Sequence, residues 1–583
     1  MPLLENLGQK GRSRPTMSLS SVWLWFSLSI VASVLYAIPA LQQAFASPYV
    51  IQDDARQHVA WMQRFVDPSL FPGDLSADYF QSVAPWAYTL FYRLGAIAGI
   101  DPITFSKVLP ILLLAISSAY AFGIFQKLLP LPWASFLGVL ILNKLVWLQD
   151  DLISATPVAF AYPLLLAALY YLLSESVIPF VIAIALLGQT YPQCALVVAG
   201  VLVLRLGSWQ QGQVSLASRR EIVLSLAGLG AIALALLPYV LIPSPYDPVV
   251  SSAEARTMFA FSPEGWSSFF NPNPWQFWFC GQRSGMLPPE WCKRIEYNSL
   301  WSMLPQFALA LSLPWLLRSP QRFPLAEQIM TKIWILPQLL LVSFTLFFVA
   351  HALIFDLHLP NRYTEHTIRI VMAIALTLSL VLILHSLIQF LRRQHYAIAF
   401  IALTILGTAL VLYPEVVQGY SLRQINYVQG NFPKIYEFLR SQPRDSLLAS
   451  LSDEVNNLPT FAQQSILVGG QGYALPYHKG YFEDVTRRSE ALIQAQYSPD
   501  LEDVKAFIRE FDIDFWLLER DAFEREYVKQ DAWLKQYPPL DQNVLDALEQ
   551  GNIPALASLE ESCSLLQERR LILLDGQCLL DQD

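Results

Sequence analysis

Long apolar runs separated by short polar stretches dominate the first 414 residues of the chain. A helix of about 20 mostly apolar residues spans a bilayer. Runs of this kind predict spans near 21–41, 106–128, 133–148, 153–173, 222–243, 300–317, 334–355, 367–391 and 396–413. The stretch 178–204 is long for one span and short for two, and Gln189-Thr190-Tyr191-Pro192-Gln193 breaks it. It reads as a hairpin of two short helices meeting in protein-lined space, where interrupted backbone is tolerated. Counted as two, it brings the total to eleven. From Glu415 the pattern changes. Helical periodicity at 431–441, 500–510 and 522–536 alternates with strand-like runs at 446–450, 466–468, 515–518 and 571–574. Such alternation predicts a small layered α/β domain.

Loop charge orders these elements across a membrane. Lys10, Arg12 and Arg14 precede the first run, so the positive-inside rule puts the N-terminus in the cytoplasm. Ala-Phe-Ala-Ser at 44–47 offers signal cleavage as an alternative, but the run before it is longer than a usual signal core. With 178–204 as a hairpin, three basic clusters fall on the cytoplasmic side: Arg205 with Arg219 and Arg220, Arg318 with Arg322 and Lys332, and Arg392 with Arg393. One span there would invert every later loop. The loops 42–105, 149–152, 244–299 and 356–366 and the tail then face outward. The expected architecture is an α-helical polytopic membrane protein of about 11 spans. Residues 1–20 are cytoplasmic, 21–414 lie in the membrane, and 415–583 form a C-terminal extracytoplasmic α/β domain. No organelle signal is visible, which suits a bacterial-type cytoplasmic membrane.

Composition narrows the function. Of 583 residues 54% are hydrophobic and 15% charged, which excludes disorder and a string of soluble domains. The tail from Glu415 holds 28 of the 47 acids and 15 of the 38 bases, an ordinary soluble balance. A net charge of −9 argues against nucleic acid as a partner. Five cysteines do not build a disulfide scaffold, but Cys280 with Cys292, and Cys563 with Cys578, share outer segments where each pair could bond. Cys194, in the hairpin, reads as packing.

Candidate chemistry lies in the outer loops. Asp53-Asp54 opens a segment in which Val59, Met62 and Phe65 recur at helical spacing, predicting a helix on the membrane surface with its apolar face down. The pair suits an N-cap, a general base or a metal ligand. Asp150-Asp151 reads as loop charge or as further carboxylates converging with Asp53 or Asp54 on a divalent cation such as Mg or Mn. In the loop 355–366, followed by Arg369, the side chains of His358, Arg362, Tyr363 and Arg369 suit a phosphate seat or interfacial anchoring. The aromatic run 269–279 suits the membrane interface or sugar stacking. Gly469-Gly470-Gln471-Gly472 lacks a phosphate-loop lysine and reads as a turn. There is no His-Glu-x-x-His, Gly-x-Ser-x-Gly or Cys-x-x-Cys zinc spacing, and no transporter-type repeat.

The order of these features resembles the GT-C superfamily of polytopic glycosyltransferases. A first span leads to an acidic pair, Asp53-Asp54. Met62, Asp67-Pro68, Phe71-Pro72-Gly73-Asp74, Tyr79, Pro85-Trp86-Ala87-Tyr88 and Gly99-Ile100-Asp101-Pro102 follow, before a span opened by Lys107. An Arg362-Tyr363-Thr364 loop and an outer α/β domain complete the likeness. The resemblance implies a polyprenyl-phosphate-linked sugar as donor, with a glycan, lipid or protein as acceptor at the outer face of the bilayer. It implies that Asp53 or Asp54 activates the acceptor or binds metal, that Asp150 and Asp151 assist, and that Arg362 holds the lipid phosphate. Single displacement would make the enzyme inverting. No Trp-Trp-Asp-Tyr-Gly stretch occurs, which speaks against an oligosaccharyltransferase catalytic subunit, and the lysine-proline pattern of mannosyl and aminoarabinose transferases is not found. A transporter or flippase for lipid-linked solutes, and a non-catalytic envelope scaffold, are the rival readings.

Overall fold

The computed structural model describes residues 19–147, 150–210, 213–296, 304–329, 331–391 and 426–582; the span expected at 396–413 lies outside them. Six helical stretches are long and apolar enough to cross a membrane: Leu19–Ala44 (α1), Pro102–Leu128, Pro157–Ser174, Arg219–Leu241, Lys332–Ala352 and Pro360–Gln389. Four shorter apolar helices lie among them: Pro132–Trp147, Val177–Gly188, Pro192–Leu204 and Pro305–Leu317. Membrane-type helices therefore occur at each expected position among the described residues. Helix length does not establish eleven full spans, because the two arms of 178–204 are only about 18–20 Å long at 1.5 Å per residue.

These arms are antiparallel. A Cβ on Gly228 would meet Phe180 at 2.6 Å and Leu202 at 2.7 Å, so the start of one arm and the end of the other lie level on Arg219–Leu241. At the far end, Gly188 faces Ala235 and Ala195. The Gln189 amide donates to the Ala235 carbonyl there. The chain thus turns back at Gln189-Thr190-Tyr191, and Pro192 starts the second arm at a helix position that needs no N–H. Arg205–Glu221 and Arg220–Glu175 ion pairs gather at the opposite end.

The loop after α1 differs from expectation. Val50–Gln52 (β1) leads into a one-turn helix, Ala55–His58 (α2), and a 3-10 segment, Ala60–Phe65. Val59, Trp61 and Met62 are fully buried in the protein core, not laid on a membrane. An apolar face has the same periodicity whether lipid or protein covers it, and here Gln63 bonds to Pro459 and Gln463 of the tail. The surface amphipathic helix comes later, after Leu75–Val83 (α3). In Trp86–Ile97 (α4), Tyr88 and Tyr92 are buried while Trp86, Leu90, Leu94 and Ile97 form an exposed apolar stripe. Asp101 then caps Thr104 at the start of Pro102–Leu128 (α5).

Along the chain follow Pro132–Trp147 (α6), Asp150–Ile153 (α7), Ala161–Ser174 (α8), the hairpin arms Val177–Gly188 (α9) and Pro192–Leu204 (α10), the small ribbon Gly207–Gln210 (β2) with Gln213–Leu216 (β3), and Arg219–Leu241 (α11). The large outer loop ends in Pro289–Glu296 (α12), and Leu304–Leu317 (α13), Ile335–Ala352 (α14) and Glu365–Leu391 (α15) complete the described bundle.

The tail is mixed α/β. Tyr427–Gln429 (β4) pairs antiparallel with β1, tying the tail to the first outer loop. Leu447–Ala449 (β5), Ser465–Ile466 (β6), Phe515–Glu519 (β7), Ser564–Glu568 (β8) and Leu571–Asp575 (β9) form a five-stranded sheet in the order β6-β5-β7-β9-β8. β5 is parallel to β6 and β7, and β9 is antiparallel to β7 and β8. β7 is buried on both faces and is apolar up to its last residue, Glu519, whereas edge strand β8 is only partly covered. The helix Lys479–Tyr497 went unpredicted, although Tyr481, Val485, Leu492 and Ile493 bury one stripe of it. Asp74 fastens the two parts: one oxygen caps Ala77 N at 2.8 Å and the other accepts from Ile466 N at 3.0 Å.

Candidate functional site at the convergence of the outer loops

Loop segments far apart in sequence meet at one end of the bundle. Pro360 starts the 3-10 turn Pro360–Tyr363, which delivers Arg362 next to the first turn of α15. Glu365 opens that helix, where a carboxylate suits the dipole, and Arg362 donates to it at 2.7 Å. His366 lies between Tyr162 and Tyr191, both ring nitrogens 3.2 Å from a tyrosine oxygen. One turn further, Arg369 donates to both oxygens of Glu290 at 2.9 Å each, to Asp151 at 2.8 Å and to the Tyr162 hydroxyl at 2.7 Å.

Two expected assignments change. Arg369 was a candidate phosphate ligand, but its guanidinium is 3% exposed and engaged by two carboxylates, so it is an internal strut. Asp151 was a candidate metal ligand with Asp150 and with Asp53 or Asp54. Burial pushes its carboxyl up, and Arg369, His366 and Arg362 outweigh that and hold it below the usual range. A carboxylate gripped by an arginine is a poor start for a cation site. Among the described residues no group of three or more His, Cys, Asp or Glu side chains is placed to hold a metal ion. The described residues do not fit a metal centre.

Asp53 and Asp54 lie beside the tail. Asp53 forms an ion pair with Arg56, and Arg56 reaches Asn457 at 2.9 Å. Asp54 occupies the cap position of α2 without a side-chain cap bond; Gln52 Oε1 instead accepts from Asp54 N at 2.8 Å and Ala55 N at 3.3 Å. One turn along α2 from Asp54, His58 rests against Phe80 with ring centres 5.0 Å apart. Burial first, and then Arg362, push its imidazole down to about 4. The first outer loop and the Arg362 turn are therefore electrostatic neighbours through His58, which sequence reasoning missed.

His358 adopts a left-handed φ of 59°, a conformation that costs a non-glycine residue about 1–2 kcal/mol. Its ring lies 5.5 Å from that of Tyr477 in the tail. Burial, Arg362, His478 and Arg283 push it down to about 3. Tyr363 is buried and its hydroxyl donates to Leu357 O at 2.9 Å, so it shapes the loop and offers no group to a ligand. Arg362 keeps 30% of its side chain exposed. The tail closes the site from above. Tyr473 donates to Arg56 O at 3.0 Å, His478 Nδ1 meets the Tyr79 hydroxyl at 3.0 Å, and Gly472 packs on the Gln57 amide. Cys280 is bonded to Cys292 and Cys563 to Cys578, while Cys194 is a buried thiol.

A helical bundle with a first-loop acidic pair, an arginine turn before a late helix and an α/β tail keeps the order of features from which a GT-C-like fold is expected. The comparison with solved structures agrees at the level of fold. The archaeal oligosaccharyltransferase AglB from Archaeoglobus fulgidus, in complex with an inhibitory peptide and a dolichol-phosphate, aligns at a TM-score of 0.52 and 9% identity over 89% of this chain and 72% of that one. The apo form of the Archaeoglobus fulgidus oligosaccharyltransferase aligns at a TM-score of 0.50 and 11% identity, with the same coverage. No family model and no curated protein matches the sequence. The chain shares the fold of the archaeal oligosaccharyltransferase.

Proposed function

We propose that the protein is a membrane glycosyltransferase that moves a sugar from a polyprenyl-phosphate-linked donor to an acceptor at the outer face of the bilayer. The observation that carries this reading is that Arg362 and Arg283 both lie close enough to His358 to disfavour its charged form, and that Arg362 also acts on His58 in the loop carrying Asp53 and Asp54. Two arginines from separate loops at the end of membrane-type helices suit a lipid phosphate, with the isoprenoid in the bilayer and the sugar toward the tail. The archaeal structure of the same fold is a complex with dolichol-phosphate and a peptide, which supports a lipid phosphate here and makes a peptide the first acceptor to try.

In the proposed reaction an acceptor N–H or O–H attacks the anomeric carbon, the bond from that carbon to the phosphate oxygen breaks, and polyprenyl phosphate leaves with the electron pair. Asp54, one turn from His58 on α2, takes the acceptor's proton. Arg362, whose exposed edge remains beyond its Glu365 contact, stabilises charge growing on the leaving phosphate. The test is transfer in nanodiscs from radiolabelled polyprenyl-phosphate sugars to peptide, glycan and lipid acceptors. Release of polyprenyl phosphate by wild type, and its loss by about 10²-fold or more in Arg362→Ala, is the expected result. Neither donor consumption nor donor binding across the panel would defeat the reading and favour a flippase or scaffold.

A further inference from the structure

The segment between Cys280 and Cys292 is a disulfide-closed loop that touches Asn361, Tyr477 and Arg369. The Gln282 carbonyl accepts from Asn361 Nδ2 at 3.0 Å and the Arg283 carbonyl from Asn361 N at 3.4 Å, so the loop backs the residue next to Arg362. Glu290, near the other end of the loop, receives both Arg369 bonds. Between these anchors the Arg283 side chain donates through Nε to the Tyr477 hydroxyl at 2.9 Å. Tyr477 in turn lies against His358.

Arg283 differs from the other arginines of this region. Arg56, Arg362 and Arg369 each have a carboxylate partner, whereas Arg283 forms no ion pair among the described residues. Its Nε is used and its two terminal amino groups are not. A half-buried guanidinium held at Nε presents its two-pronged edge to a ligand, and an anion with paired oxygens fits that edge best. No other described residue pairs with this charge, and burying a cation is costly unless an anion joins it.

We propose that Arg283 is a second phosphate-binding residue of the site, and that the Cys280–Cys292 bond holds it there by closing the loop between its Asn361 and Arg369 anchors. The inference rests on the phosphate reading above and deepens it: two cations from separate outer loops, Arg362 and Arg283, take opposite sides of one phosphoryl group. It also makes phosphate binding depend on an oxidised loop, while the tail disulfide Cys563–Cys578, which closes β8–β9 onto the C-terminal turn, has no part in it.

The test uses the full chain in detergent with farnesyl phosphate and, separately, inorganic phosphate, binding being followed by calorimetry. Arg283→Ala and Cys280→Ser/Cys292→Ser should weaken farnesyl phosphate about 10-fold, the loss expected for one charge-assisted contact. Arg283→Lys should recover part of it, and Cys563→Ser/Cys578→Ser should bind like wild type. Reduction of wild type by a water-soluble phosphine should reproduce the Cys280→Ser/Cys292→Ser result, with faster amide exchange over 357–364, which covers the case of a variant that misfolds. Farnesyl phosphate binding with no inorganic phosphate binding would mark a lipid headgroup seat; equal loss for both probes in Arg283→Ala would mark phosphate as the shared determinant. Wild-type affinity in both Arg283→Ala and the reduced protein overturns the inference and leaves the function standing. A wild type that binds neither probe overturns the phosphate seat and the role of Arg283 with it.

Discussion

Arg369 and Glu290 are joined by two parallel hydrogen bonds of 2.9 Å, linking the outer end of α15 to the disulfide-closed loop. Both side chains are almost fully enclosed, at 3% and 10% exposure. Breaking a buried pair from one side leaves the other charge stranded, at a cost of about 3–5 kcal/mol. Glu290→Gln should therefore lower the unfolding midpoint of the purified protein by several degrees, and Arg369→Met should lower it more, because Asp151 also loses its partner. An unchanged midpoint in both variants would show that the strut carries no stability.

The hairpin makes a geometric prediction. Gly228 packs where Phe180 and Leu202 meet, and an added Cβ would lie 2.6 Å from the first and 2.7 Å from the second. Small residues let membrane helices approach this closely. Gly228→Leu should destabilise the bundle by roughly 1–3 kcal/mol through overpacking, whereas Leu at Gly230, whose Cβ position is open, should cost far less. Equal thermal stability of the two variants would contradict the antiparallel arrangement.

Much of this arrangement was legible in the sequence. The apolar runs placed each described membrane-type helix, and the polar break at 189–193 marked the hairpin, because polar backbone-breaking residues at that depth have few other uses. Four of the five sheet strands followed from short apolar runs; β8, whose burial alternates along Ser564–Glu568, did not. The site was less legible. Asp151 and Arg369 are 218 positions apart, and nothing local in either segment says that each neutralises the other. Arg369 therefore looked like a phosphate ligand and Asp151 like a metal ligand until their partners were in view. Glu290, His58 and Arg283 were missed for the same reason. Arg283 had one available signal, its position inside a cysteine-bounded outer loop.

Two histidines tie stability to pH. Burial and nearby cations push His58 down to about 4 and His358 down to about 3, both from an ordinary 6.5. The folded protein then refuses protons that the unfolded chain accepts, so stability falls as pH drops from about 6.5 toward 4 and is fully present above that window. His478, also held down by burial, adds to the same slope. Unfolding midpoints measured between pH 7 and 4.5 should decline, and His58→Gln with His358→Gln should flatten the decline. A flat wild-type profile over that range would refute it.

The two first-loop aspartates should separate by readout. Asp53 is 41% exposed and bound to Arg56, which holds Asn457 of the tail. Its replacement by Asn frees Arg56, loosens the junction between tail and first loop, and should cost less than about 1 kcal/mol, as exposed pairs do. Turnover in Asp53→Asn should fall only modestly, with weaker acceptor binding. Asp54 stands one turn from His58, the residue that feels Arg362, and is the base of the proposed reaction. Loss of a general base typically removes 10²–10⁴-fold. Asp54→Asn should therefore abolish most transfer while leaving farnesyl phosphate affinity and the unfolding midpoint near wild type. Single-turnover sugar transfer beside calorimetric binding distinguishes the two. If Asp53→Asn proves the inactive variant and Asp54→Asn the mild one, Asp53 is the base and its pairing with Arg56 must open during the reaction.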